Sequence, residues 1–261
     1  MIEINASEYH KVIPLFQNIN HSIAIVFAVL EGNSPGRVFV NELAAPSSVF
    51  LFPEGTFFYI NGDENDTAFC QSVSNLIFDE ILPNATEKEA VIFAFTTAWR
   101  NRLDLLLRTK GVITIHRKVF HFNPEKFADY RRSQASLPDG LTIQPIDSAL
   151  AQKYPVYQHL IEPRSKRFGF CLLKGDEVIS ECSSIYVGGG EAEIDIHTKE
   201  EYQGRGYAQL VASAFIVACR SKGVRPNWAC WPERQASVAL ARKLGFEEQP
   251  DVPAHLWAEG L

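Results

Sequence analysis

Two carboxylates, Glu193 and Asp195, and an imidazole, His197, stand at alternate positions with Ile194 and Ile196 between them. In an extended chain alternate residues share a face, so the two carboxylates project together, and the imidazole, which titrates near neutrality, is a further candidate base. Groups so placed can take protons directly or through water, which is general-base work. Shortly beyond comes "QGRGYA", Gln203 to Ala208, with Gly204 and Gly206 flanking the cation Arg205. That composition suits an anion. Glycine lets bare peptide N–H groups approach phosphate oxygens, and arginine adds a charged contact. Solvated strand residues, and a glycine turn that merely ends one element and caps the next, are the simpler alternatives for the same residues.

These side chains need a strand, a turn and a helix in that order. "AEIDI" alternates as a strand does, whereas Tyr207, Leu210, Val211, Ala214 and Ala218 recur like one face of a helix. The first amides of a helix lack internal partners and its dipole favours negative charge, so the junction at Gly206 predicts a phosphate site. Neither common nucleotide motif accounts for it. A dinucleotide fingerprint needs glycine at the position of Gln209 and an acidic ribose ligand beyond, and no Gly-Lys-Ser or Gly-Lys-Thr follows for a P-loop.

The 261 residues can hold one large domain or two ordinary ones, and 46% apolar content suffices for packed cores. No apolar run is long enough to span a bilayer, and residues 1 to 20 lack the basic start and apolar centre of a secretion signal. A cytoplasmic protein without membrane association is expected. Five dispersed cysteines, odd in number and without Cys-x-x-Cys, suggest neither a disulfide framework nor a metal site. Residues 1–130 carry 10 basic and 15 acidic side chains, residues 131–261 carry 15 and 16, and the whole has net charge -6. Nucleic-acid binding is therefore not expected. The better-balanced second half suits a small anionic ligand, or is ordinary solvated surface.

Along the chain, Asn5 and Glu8 have capping-box spacing before Tyr9, Val12, Ile13 and Phe16, which predicts a first short helix. "SIAIVFAVL", "RVFVNE", "SVFLF" and "TFFYI" predict four neighbouring strands. A helix over 66–81, a strand over 91–95, a helix over 97–108 and a strand over 112–122 complete an α/β first half. Asn123 followed by Pro124 starts another helix. The turn-forming "RRSQASLPDG" puts a domain boundary between Arg131 and Gly140, separating 1–135 from 136–261. Beyond it the pattern predicts a strand over 141–144, a helix capped by Asp147 and three antiparallel strands over 168–173, 178–186 and 192–196. The glycine loop and its helix, a strand near 228–230, a helix over 233–244 and a final strand follow. No sequence repeat of 20 to 50 residues is found.

In this context "QGRGYA" fits the pattern Gln/Arg-x-x-Gly-x-Gly/Ala and resembles the acyl-CoA pyrophosphate loop of the GNAT N-acetyltransferases, and "ARKLGFEE" resembles their other common block. The resemblance covers roughly residues 141 to 261. The complete chain also resembles the bacterial group that includes the zwittermicin A resistance protein, an acetyltransferase acting on an aminopolyol antibiotic. The resemblance implies an α/β (α+β) GNAT acyl-CoA-binding fold, with a mixed, splayed central sheet in the C-terminal half and a smaller α/β N-terminal domain before it. Acetyl-CoA would be the co-substrate, with no metal. Gln203, Gly204, Arg205, Gly206, Tyr207 and Ala208 would face the pyrophosphate. Ile196, His197 and Thr198 would lie along the pantetheine arm, which enters as an added strand, and Ser237 would contact pantetheine or pack. A backbone N–H near Ile196 would polarise the thioester carbonyl and stabilise its oxyanion. Glu193 matches the general-base glutamate of histone-type members and is preferred to Asp195, while His197 is read as pocket wall before base. Two positions depart from the family. Ala241 stands where a tyrosine often protonates the leaving thiolate, and Arg234 where asparagine is frequent.

The resemblance thus implies an N-acetyltransferase moving an acetyl group to a primary amine of a small molecule, such as an amino-containing antibiotic or metabolite. An alkylamine with a pKa near ~10 must lose a proton before it attacks, which is the task for Glu193 and Asp195. Two alternatives stay open. One is a non-catalytic acyl-CoA-binding sensor or interaction module, favoured by Ala241 and opposed by the two carboxylates. The other is a GNAT-like fold in both halves, although the acidic first half has no such loop, which argues against a second cofactor site. A homo-oligomer is compatible with either.

Overall fold

The chain changes partners in the middle of one strand. The computed structural model describes residues 1–261, and these form two units, Met1–Arg117 with Val252–Leu261 and Lys118–Asp251. The division falls between Arg117 and Lys118, inside the strand Ile113–Phe122.

In chain order the first unit comprises β1 (Ile2–Ile4), α1 (Ile23–Leu30), β2 (Gly36–Val40), β3 (Ser48–Pro53) and β4 (Phe57–Gly62). Then come α2 (Thr67–Asn75), α3 (Leu82–Asn84), β5 (Glu89–Ala94), α4 (Thr97–Leu107) and the first half of β6 (Ile113–Phe122). The second unit takes the rest of β6, then α5 (Pro124–Ser133), β7 (Leu141–Pro145), α6 (Ser148–Lys153), β8 (Gly169–Lys174), β9 (Glu177–Gly188) and β10 (Glu191–Thr198). It continues with α7 (Tyr207–Ser221), β11 (Arg225–Cys230), α8 (Gln235–Lys243) and β12 (Phe246–Glu248), after which β13 (Val252–Ala258) returns to the first unit.

Each unit repeats one plan. A helical segment leads into a three-stranded antiparallel meander (β2-β3-β4; β8-β9-β10). A helix then crosses to a parallel neighbour, β5 beside β4 and β11 beside β10. A second helix and an antiparallel strand follow. Sequence comparison within the chain shows no repeat because the plan needs only matching hydrophobic periods, which many unrelated sequences satisfy.

Side-chain alternation explains the layers. In the second unit Ala192, Ile194, Cys182 and Leu172 face a core that also holds Val211, Phe215, Val238, Leu244 and Phe246 from the two helices and the last strand. On the opposite sheet face Cys171, Leu173 and Val178 pack against Leu150, Tyr157 and Leu160, from α6 and the turn Pro155–Leu160. In the first unit five phenylalanines, among them Phe50, Phe58 and Phe69, fill the corresponding space with Trp99.

Three expectations change. "SIAIVFAVL" forms α1, not a strand, since an all-apolar run carries no period that separates a strand from a helix buried on most sides. Asn5 starts no α-helix: two 3-10 segments, Ala6–Lys11 and Ile13–Phe16, replace it, and Pro14 cannot donate the hydrogen bond that would continue an α-helix. The compact units also divide elsewhere than at residues 131–140. Helix α5 packs Phe127 into the second core, and β13 pairs with β5 and β6, so the turn-rich segment is a loop within the second unit.

The block "ARKLGFEE" ends α8 at Gly245, which adopts φ +88°. A Cβ there would lie 2.6 Å from the backbone nitrogen of Phe127, in the helix that Asn123 caps through Glu125 and Lys126. Gly245→Ala is expected to destabilise the second unit by about 2–4 kcal/mol, from the left-handed conformation and the forced backbone shift together. Urea unfolding should show this as a lower midpoint at unchanged slope.

Candidate functional site

Strands β10 and β11 are neighbours for only three residues, Glu191–Glu193 against Arg225–Asn227. Beyond that point they part. Trp228–Cys230 pair with Phe120–Lys118 of β6, while Ile194–Thr198 keep β9 on one side and have no strand on the other. The register of β9 against β10 jumps at the same place, from Tyr186 opposite Glu193 to Ser184 opposite Ile194, leaving Ile185 as an inserted residue. Such a bulge bends its strand and increases local twist, which accounts for the parting. The result is an open strand edge with unpaired main-chain groups facing a gap.

Glu193 sits at the fork. It is 1% exposed, and the side-chain amide of Asn227 donates to its carboxylate across the last parallel pair. Asp195 follows on the same face and is exposed, with no ion pair or hydrogen bond to its carboxylate. His197 is next on that face, also exposed, directly opposite Glu181 of β9. Thus the three side chains do share a face, away from the helical core that takes Ile194 and Ile196. Thr198 is fixed by a 2.7 Å contact of its hydroxyl with that of Ser180.

The loop leaves β10 through a short 3-10 turn, Glu200–Tyr202, and enters α7 at Gly206. Gln203 donates its amide to the Thr198 carbonyl at 3.0 Å, closing the loop on itself. Gly204 and Gly206 have φ +74° and +79°, conformations in which a side chain is strained. No side chain caps α7 and its first turn holds no acid, so its dipole and free amides meet solvent. Arg205 donates to the Glu201 carbonyl at 3.0 Å and lies over the Tyr202 ring, 5.5 Å from its centroid. Tyr207 and Ala208, half-buried, form the first turn. These are the features of an anion cradle.

The corresponding junction of the first unit is closed. Asp66 caps α2, accepting from the Phe69 amide at 2.9 Å, so the protein's own carboxylate holds the place that a phosphate would take. Strands β4 and β5 stay paired from Phe57–Val91 through Ile60–Ala94, the last residue of β5. The Trp99 indole, fully buried, donates to the Gly62 carbonyl at the end of β4.

Three further positions bear on the chemistry. Ser237 accepts the Trp228 indole N–H at 3.0 Å, satisfying a donor that would be costly to bury alone. Ala241 is fully buried in the core, so no hydroxyl is available from that position. All five cysteines are free and buried, and burial pushes the Cys171 and Cys219 thiols up to about 12, which keeps them neutral and poorly nucleophilic. Two partners escaped the sequence reading. Asn227 lies far from Glu193 in the chain and meets it only through parallel pairing. Glu181, which receives a hydrogen bond from Tyr157, does have a signal, as a charge inside the strand "EVISECSSIYVG".

Comparison with known proteins identifies the family of the chain. The GNAT acetyltransferase family model matches residues 13–254. The uncharacterized N-acetyltransferase YdfB of Bacillus subtilis is 30% identical over 256 residues, 94% of this chain and 94% of that one. A GCN5-related N-acetyltransferase-like protein from Streptococcus suis shares the fold, with TM-score 0.67 at 22% identity over 97% of this chain and 99% of that one. So does a tandem GNAT protein from the clavulanic acid biosynthesis pathway, with TM-score 0.65 at 10% identity over 100% of this chain and 98% of that one. The match runs through the first unit, whose repeated plan makes the fold tandem GNAT-like rather than GNAT in the second half alone. The chain therefore belongs to the GNAT acetyltransferase family and is an acetyltransferase.

Proposed function

We propose that the protein transfers an acetyl group from acetyl-CoA to a primary amine of a small molecule, at the open edge of β10. The observation that carries this reading is the coincidence of three features within fifteen residues of one strand-loop-helix, Glu193 to Tyr207: the fork, the carboxylate face and the uncapped α7. Acetyl-CoA supplies an activated acyl thioester, and its elongated arm carries amides that can complete an open strand edge. Gln203, Gly204, Arg205, Gly206, Tyr207 and Ala208 would receive the diphosphate. Main-chain groups of Ile196, His197 and Thr198 would hold the arm, while Ser237, already engaged with Trp228, supports the wall of the gap.

The amine approaches from the carboxylate face. Asp195, exposed and unpaired, meets the incoming ammonium, and Glu193, fixed by Asn227, takes its proton through an intervening water. With Ala241 in the family's tyrosine position no hydroxyl stands ready to protonate the thiolate, but a thiol pKa near ~8.5 makes the thiolate a tolerable leaving group. The non-catalytic sensor reading rests on that alanine alone and explains neither carboxylate.

Three measurements test the reading. Gly204 faces open space at φ +74°, so Gly204→Asp meets no clash while placing a negative charge in the cradle; the left-handed backbone costs about 1–2 kcal/mol, and a Gly204→Asn control carries the same strain without the charge. Acetyl-CoA binding by calorimetry should weaken at least about tenfold, the scale of one charged contact; unchanged affinity would remove the loop from cofactor binding. Glu193→Gln should lower turnover about 100-fold in a thiol-release assay and leave acetyl-CoA affinity unaltered. Titration of the wild-type protein should saturate at one acetyl-CoA per chain, because Asp66 fills the counterpart cradle.

A further inference from the structure

Glu181 is half-buried on β9, on the carboxylate face, yet no cation pairs with it. Its single hydrogen bond comes from the hydroxyl of Tyr157, a residue only 4% exposed and held in the cluster of Leu150, Leu160 and Cys171. The phenol stays protonated, since burial and then the neighbouring carboxylate push its pKa up. It therefore donates to Glu181 and fixes one carboxylate oxygen, leaving the other unengaged. Keeping a partly desolvated carboxylate without a counter-charge costs stability. A fold tolerates that cost most readily where a ligand supplies the charge.

The strand register gives the spacing. Asp195 is opposite Ser183 and His197 is opposite Glu181, so Asp195 and Glu181 are diagonal neighbours, about 7–8 Å apart across the pair. Asp195 belongs to the amine end of the proposed reaction, beside Ile196. Glu181 lies one diagonal step away, outside the reacting centre and within reach of a second ammonium on a four-carbon chain.

We propose that Glu181, positioned by Tyr157, is the specificity residue for acceptors carrying a second cationic nitrogen one short alkyl chain from the amine that is acetylated. The assignment rests on the acetyl-transfer reading of the β10 edge, and it selects diamine-like acceptors over simple alkylamines. The distal ammonium donates to the free oxygen of Glu181 while the reactive nitrogen stands at Asp195. No covalent step involves Glu181.

The test compares 1,4-diaminobutane with 1-aminobutane, which differ by one ammonium on the same carbon frame. Binding of each is measured by calorimetry with CoA present, on the wild-type chain and on Glu181→Gln and Tyr157→Phe. Glutamine still accepts the Tyr157 hydroxyl, so its fold and melting temperature should match the wild type. The expected results are tighter wild-type binding of the diamine, a loss of about tenfold or more for the diamine in Glu181→Gln, and a monoamine affinity within about twofold. Tyr157→Phe should weaken the diamine by a smaller factor and spare the monoamine, which a purely structural tether would not do. Equal wild-type affinity for the two amines, or an equal loss of both in Glu181→Gln, overturns the assignment. Failure of the acetyl-transfer reading looks different: amines bind with these preferences, but no thiol is released from acetyl-CoA.

Discussion

The site depends on two adjacent strands that pair for three residues and then separate. An unpaired strand edge normally leaves main-chain donors and acceptors in search of partners, and proteins cover or blunt such edges. Here the edge is made, not left over. An inserted residue, Ile185, twists β9 at the point where Trp228 leaves β10 for β6. The deviation is stable because both departing segments find other partners, β10 in β9 and β11 in β6. Only the inner edge of β10 is sacrificed. A gap so formed has rigid walls, which suits a ligand that must present one reactive atom at a fixed place.

Burial then divides labour among carboxylates that the strand places on one face. Glu193, at the closed end of the fork, is desolvated and held by an amide donor, so its position is fixed but its access is indirect. Asp195, one step beyond the split, is exposed and its carboxylate carries no hydrogen bond or ion pair. A base needs orientation and a recognition charge needs access. In the proposed reaction two residues of the same chemical type, separated by one isoleucine, would meet those opposite needs, because the pairing of β10 with β11 ends between them.

Much of this was legible in the residues themselves. The alternation of "AEIDI" placed Glu193 and Asp195 on one face, and Gly204 and Gly206 marked the start of α7, because period and backbone freedom are local properties. The caps at Asn123 and Asp147 were readable for the same reason. What stayed hidden depends on pairing between distant segments: Asn227 beside Glu193, Tyr157 against Glu181, and β13 returning to lie between β5 and β6. The strand expected over residues 22–30 failed for a different cause. Ile, Val and Phe favour strands, but a run without polar residues commits to neither period, and burial of α1 decided the matter.

The same plan occurs twice in the chain with opposite treatment of its one exposed weakness. A helix that follows a parallel-paired strand points its free amides outward, and those amides must be satisfied. In the first unit Asp66 satisfies them internally, its other oxygen is held by the Asn41 amide at 3.1 Å, and β4 and β5 stay zipped. That arrangement stabilises the unit and bars an external anion. In the second unit glycine replaces the capping side chain, so the amides remain available and the adjoining sheet opens. An N-terminal cap is worth about 0.5–2 kcal/mol, small beside the affinity that several amides and an arginine can give a diphosphate. On the proposed reading, stability forgone at α7 would be recovered when the diphosphate binds, whereas at α2 it is kept permanently; the two choices exclude each other at any one helix, and a chain carrying both plans can make each of them once.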